Sequence, residues 1–207
     1  MNLQDIFDQL TYGELANISL GGSEEGGITL VNTPKVISHI NMAIQALHIK
    51  FMLEEAEYVI PLIEGVTMYE ISVSQITGVF NELGEKVSFN DPTDLNSVFT
   101  PRWDILQVPI TVEAVTLYLA YIPKPVKVAL DAIVADIEID LPEVLLEPLL
   151  AYTASRIYTS IGNPEAIQEA MVQMSRFNLL CLNIKSAGIL NITEQATNLN
   201  LENRGWL

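Results

Sequence analysis

The sequence is poorest in positive charge. Its 207 residues hold ten Lys and Arg against 26 Asp and Glu, a formal net charge of -16. Tight binding to a phosphate backbone requires clustered cations. Here Lys35, Lys50, Lys86, Arg102, Lys124, Lys127, Arg156, Arg176, Lys185 and Arg204 form no run. The composition argues against a nucleic-acid binder and predicts repulsion from DNA. Cysteine is nearly absent as well. Cys181 alone can close no internal disulfide, and its place on an apolar helical stripe predicts a packed thiol rather than a nucleophile. The two histidines, His39 and His48, lie on one helical segment. At about 100° per residue they face opposite sides, so they cannot share a metal, and each is expected at the surface or its boundary. No apolar run reaches about 18 residues without charge, and Met1-Asn2-Leu3-Gln4-Asp5 has neither the basic cluster nor the apolar region of a signal peptide. The expectation is a soluble chain, made in the cytoplasm, with no membrane partner.

Catalytic patterns are missing too. There is no Gly-x-Ser-x-Gly elbow, no paired His, no second Cys and no Lys behind a glycine-rich loop. Gly21-Gly22-Ser23-Glu24-Glu25-Gly26-Gly27 carries two carboxylates and runs into Ile28-Thr29-Leu30, so it predicts a flexible loop rather than a phosphate cradle. No enzyme, cofactor or metal site is expected. One stretch invites a metal reading: Asp136-Ile137-Glu138-Ile139-Asp140 would place three carboxylates on one face if extended. A hard cation needs further oxygen ligands and a tight loop, so a solvated acidic face is the default.

What the chain does have is apolar content, 49% of its residues, enough for one good core or a core with a small appended domain. Its organising stretch runs from Asp140 to Ile184. Leu145, Leu146, Leu149, Leu150, Ile157, Tyr158 and Ile161 recur at threes and fours, as on one face of a helix, with Pro142 just inside its start. Gly162-Asn163-Pro164 breaks the pattern; Asn163 suits an N-cap, Pro164 the first helical position and Glu165 the positive end of the dipole. The second stripe reads Ile167, Ala170 or Met171, Met174, Phe177, Cys181 and Ile184. Two segments of roughly 30 Å joined by so short a break predict an antiparallel helical hairpin.

Earlier in the chain, Leu3, Ile6, Phe7 and Leu10 predict a short amphipathic helix. Thr11-Tyr12-Gly13-Glu14 matches the capping box of a new helix, a reading of Glu14 preferred over an acid or base. Asn32-Thr33-Pro34 opens another helix, with Val36, Ile37, Ile40, Ile44, Leu47 and Phe51 on one face and Glu54-Glu55 closing it. From Glu57 the pattern turns β-rich. Tyr58 to Ile63 and Thr67 to Val73 flank Glu64-Gly65, a hairpin signal in which Pro61 marks an edge. Ile76 to Phe80 and Lys86 to Phe89 flank Asn81-Glu82-Leu83-Gly84-Glu85. A loop through Phe99, Pro101 and Trp103 leads to strands at Ile105 to Val108 and Val115 to Ile122. The predicted class is α+β: a helical platform (1–56 and 127–188), an inserted, mostly antiparallel small sheet (57–126), and an extended C-terminal tail (189–207). The tail holds the candidate interaction residues Ile189, Leu190, Ile192, Arg204, Trp206 and Leu207, expected to be mobile when free and ordered against a partner.

These motifs, taken in order, resemble the head-to-tail adaptor proteins of tailed bacteriophages. The resemblance rests on Thr11-Tyr12-Gly13-Glu14-Leu15, Ile40-Asn41-Met42-Ala43-Ile44-Gln45-Ala46-Leu47 and Phe51-Met52-Leu53. It continues through Ile60-Pro61-Leu62 with Gly65 and Tyr69, Asn81-Glu82-Leu83-Gly84, Leu106-Gln107-Val108-Pro109, Leu141-Pro142, Gly162-Asn163-Pro164 and Arg204-Gly205-Trp206. It implies no catalytic residues. It implies a structural virion protein at the head-tail connector, assembled in the host cytoplasm. Copies would form a ring, commonly dodecameric, under the portal protein, extending the DNA channel without binding DNA specifically and docking the next tail or nozzle protein. A tail-tube or head-completion component of the neck is the alternative. An acidic metal hydrolase is a distant third.

Overall fold

The structure, a computed structural model, describes residues 1–16, 28–29, 31–73, 75–131 and 137–190. The glycine-rich loop, Asp136, and the tail residues Ile192, Arg204, Trp206 and Leu207 lie outside them. The chain is α+β and divides into two compact units, Met1–Phe51 with residues 125–190 and residues 52–124.

The first unit is helical. Asn2 caps α1 (Leu3–Gln9), accepting from the Gln4 N–H at 2.8 Å, and Leu3, Ile6 and Phe7 are buried. Just before it, Met1 to Leu3 pair with Ile137 to Ile139 through Leu3 N–H to Ile137 O at 2.9 Å and Ile139 N–H to Met1 O at 2.7 Å. Of the acidic run, Ile139 is buried while Glu138 and Asp140 are exposed. The capping box is corrected. Leu10–Glu14 is a π-helical turn continuing α1, closed by Leu15 N–H to Leu10 O at 2.9 Å, and no helix starts at Thr11. Leu10 and Leu15 are both fully buried. Five residues at about 100° each would set them on different sides of an α-helix, and the wider turn returns both to the core.

Helix α2 (Thr33–Phe51) buries Val36, Ile37, Ile40, Ala43, Ile44, Leu47 and Phe51. It stops one residue before Met52, whose φ is 50°. Asn41 on this helix clasps a later extended segment, donating to Val128 O at 2.9 Å and accepting from Val128 N–H at 2.8 Å. Pro142 precedes a 3₁₀ turn (Glu143–Leu145) rather than sitting inside the long helix, and α3 (Leu146–Ile161) follows. Gly162, at φ 77°, ends α3 in the left-handed region, and Asn163 Oδ1 accepts from Ala166 N–H at 2.7 Å to cap α4 (Pro164–Ala187). The two helices form the antiparallel hairpin. Small residues let them approach closely: the Ser155 hydroxyl on α3 donates to the Ala170 carbonyl on α4 at 2.9 Å. Beyond them Tyr152 meets Phe177 edge-on at 5.1 Å.

The second unit holds two antiparallel sheets rather than one. The four-stranded sheet has the order β1 (Ala56–Pro61), β7 (Thr116–Tyr121), β3 (Ile76–Phe80), β4 (Lys86–Val87). The three-stranded sheet has the order β2 (Met68–Glu70), β6 (Ile105–Gln107), β5 (Phe99–Arg102). Val79, Val98, Leu106, Leu117 and Leu119 form the fully buried centre of their shared core. The hairpin expected across Glu64-Gly65 does not form, because β1 and β2 belong to different sheets. Leu62 N–H still bonds to Val115 O at 2.8 Å, and the chain then turns a corner. The Tyr69 hydroxyl pins that corner, accepting from Ile63 N–H at 2.8 Å and donating to Val66 O at 3.1 Å. The segment Phe99–Arg102, expected to lie in a loop, is an outer strand. Pro lacks an N–H, which an outer strand can spare. The β3–β4 hairpin forms as expected, with Asn81 Oδ1 accepting from Leu83 N–H at 3.0 Å and Glu85 N–H at 2.9 Å.

Candidate interaction surfaces

Cys181 is fully buried on the inward face of α4, and burial raises its thiol above the usual range, against the opposing pull of Lys50 and Lys185. It is packed and protonated. His48 is buried, which corrects its surface or boundary placement: the C-terminal half of α2 buries both Ala43-Ile44 and Leu47-His48, a wider face than one stripe. His39 is half-buried, and its pKa is lowered by burial and then by Arg156. No group of His, Cys, Asp and Glu among the described residues is arranged to hold a metal ion.

At the hairpin's turn end the π turn, α3 and α4 enclose a shallow cavity of about 400 Å³ lined by Glu14, Tyr158, Glu165, Glu169 and Gln173. Several of its polar groups are engaged with neighbours, although the buried Gln173 Oε1 has no hydrogen-bond partner among the described residues. The Glu14 carboxylate pairs with Arg176, and the Tyr158 hydroxyl donates to Glu14 O at 3.0 Å. Gln173 Nε2 donates to Glu169 at 3.2 Å. Burial, reinforced by Glu169 and Glu14, raises the Tyr158 pKa, so the phenol keeps its proton. No nucleophile faces a base there. The arrangement fastens the π turn to the hairpin.

The unusual surface is the outer side of α4. The inward positions are Ala166, Ala170, Gln173, Phe177, Cys181 and Ile184. Ile167, expected inside, is exposed, and of the alternatives Ala170 or Met171 it is Ala170 that turns inward, because the close approach of α3 selects alanine. Outside, Met171 is 66% exposed, Val172 54%, Leu179 58% and Leu182 63%. A second exposed apolar pair, Met42 and Ile49, lies on α2. In the β unit Trp103 stands exposed between β5 and β6, beside the Arg102–Asp104 ion pair at 2.8 Å. Sequence reasoning missed all three. The available signal was that α4 carries large apolar residues, Val172, Leu179 and Leu182, on the side away from its inward stripe.

Of the expected interaction residues, Ile189 is exposed and Leu190 half-buried, just past Gly188, the left-handed end of α4. Ile192, Arg204, Trp206 and Leu207 lie outside the described residues. Among those described, no helix is long and apolar enough to cross a membrane. The model of one protein family, described as SU10 adaptor protein, matches residues 10–187, which spans both units. No curated protein matches the sequence.

Proposed function

We propose a function from one premise: the chain belongs to the SU10 adaptor protein family, a family of phage head-to-tail adaptors. It is a structural component of the virion, and its role is structural rather than catalytic. In our reading, copies of the chain form a ring below the portal, lengthen the DNA channel and present the docking surface for the next tail component. The match over residues 10–187 carries this reading. Three features support it. Capped helices joined by a tight break make a stiff platform. Exposed apolar faces on α2 and α4 suit contacts between copies. A net charge of -16 lets DNA pass without sticking.

Mixing the purified chain with its portal protein and sizing the product is the test. A complex holding a symmetric multiple of subunits is expected, and absence of any such complex overturns the reading. Duplex DNA should show no binding in an anisotropy titration at low salt, where phosphate contacts are strongest. Micromolar affinity there would contradict a passive channel. Ile189, Leu190, Ile192, Arg204, Trp206 and Leu207 are proposed as anchors on the portal or a neighbouring copy. Trp206→Ala should then weaken attachment while leaving the melting temperature of the free chain unchanged.

A further inference from the structure

Helices α2 and α4 each leave one side bare, and the two bare sides share a spacing. On α4 the outward series is Glu165, Gln168, Val172, Ser175, Leu179 and Leu182; on α2 it is Lys35, Ser38, Met42, Gln45 and Ile49. Every one of these residues is exposed. Both series step alternately by three and four, the spacing of helices that pack side by side at a shallow angle. We propose that these faces are the two halves of one contact between copies of this chain, with α4 of one copy lying along α2 of the next in the same direction.

Charge argues for a second copy as the occupant. On a chain of net charge -16, the α4 series beyond Glu165 carries none of the carboxylates. Two copies can meet there without acid facing acid. Aligned in register, Val172 meets Met42 and Leu179 meets Ile49, while Glu165 meets Lys35 in the single charged layer. An α4 face set against another α4 face has no basic residue in its series to answer Glu165. Because the two halves differ, the contact is heterologous and repeats around an axis instead of closing as a pair. Its few layers bury on the order of 500 Å² per copy, less than the roughly 800 Å² per partner of a self-sufficient interface. One contact is therefore weak, and closing a ring on a template multiplies it. The proposal rests on the ring reading above and names the contact that reading leaves open.

Cysteine pairs in the full chain, assembled on its portal protein, test it. Under mild oxidation a mixture of Leu179→Cys copies and Ile49→Cys copies should give a disulfide-linked dimer, and either variant alone should give none. The buried Cys181 offers no competing thiol. A dimer from Leu179→Cys alone, or no dimer from the mixture, overturns the proposal. In parallel, Leu179→Glu with Leu182→Glu should leave melting unchanged and raise the concentration for half-assembly at least roughly tenfold. If that variant assembles like the parent, this contact is wrong and the ring reading stands. If the parent forms no multimer even on the portal, both fall. If the double variant melts lower yet assembles normally, the face is covered by the chain's own residues 191–207, which also overturns the proposal.

Discussion

The helical unit and the β unit were assembled by rules of different range. In the helical unit the hairpin's boundary is decided within a few residues: Gly162 turns left-handed, Asn163 caps, and Pro164 begins α4. In the β unit the strands are local but their partners are not. Ala56 pairs with Tyr121, and Met68 with Gln107. A helix closes its hydrogen bonds four residues away, whereas a strand's bonds wait on a chain segment that its own residues do not specify.

The largest effect should come from emptying each core. Leu149→Ala in α3 and Leu119→Ala in β7 remove fully buried side chains, and each should cost about 2–5 kcal/mol in chemical denaturation. Markedly different losses would show that one unit's core yields to a cavity more easily. Next are the left-handed glycines, Gly162 at φ 77° and Gly84 at φ 76°. A Cβ at either meets nothing within 4 Å, so Gly→Ala should cost only the backbone strain, about 1–2 kcal/mol at both sites. Unequal losses would break the view that turns are equally local in the two units. Asn163→Ala removes the α4 cap and should lower stability by about 1 kcal/mol. Arg176→Met removes the partner of Glu14 and should cost under about 1 kcal/mol, less at high salt.

The smallest effect concerns His39. Its folded-state pKa is depressed, so between the ordinary value of 6.5 and the lower folded value the unfolded chain binds more protons. Its contribution is present above pH 6.5 and lost as pH falls through the folded pKa. The drop in melting temperature from pH 7 to pH 5 should therefore be smaller for His39→Gln than for the parent. An identical drop would remove His39 from the acid response.

The hairpin was legible because its cap and break are written in adjacent residues, and α2 from its apolar stripe, although it ends at Phe51 rather than at Glu54-Glu55. The face of α4 was less so. The apolar stripe put Ile167 in the core and left Ala170 or Met171 open, but the Ser155 hydroxyl reaches the Ala170 carbonyl on the α4 backbone, a contact that leaves room there only for small side chains. In the first turns of α4 size decided which residues turned inward, Ala166 and Ala170, while farther along Phe177 and Ile184 follow hydropathy. The π turn was illegible for a related reason: Thr11 to Glu14 satisfies a local capping pattern, yet burying both Leu10 and Leu15 outweighs it. The division into two sheets rests on the corner held by Tyr69, which no alternation of apolar and polar residues encodes. The tail residues proposed as anchors beyond Asn191 fall outside the described residues.

Pro61 and Pro101 occupy the outer strands β1 and β5, one in each sheet. Each removes a backbone donor from a rim where another molecule's strand could add, and Glu57 places a carboxylate on the same outer strand β1. At high concentration any chain faces a choice of sticking modes. Indiscriminate strand addition ends in aggregates that cannot be taken apart, whereas helix faces separate and re-form. With prolines on β1 and β5 and exposed apolar side chains on α2 and α4, strand addition at those rims is discouraged while contact through the helix faces stays open.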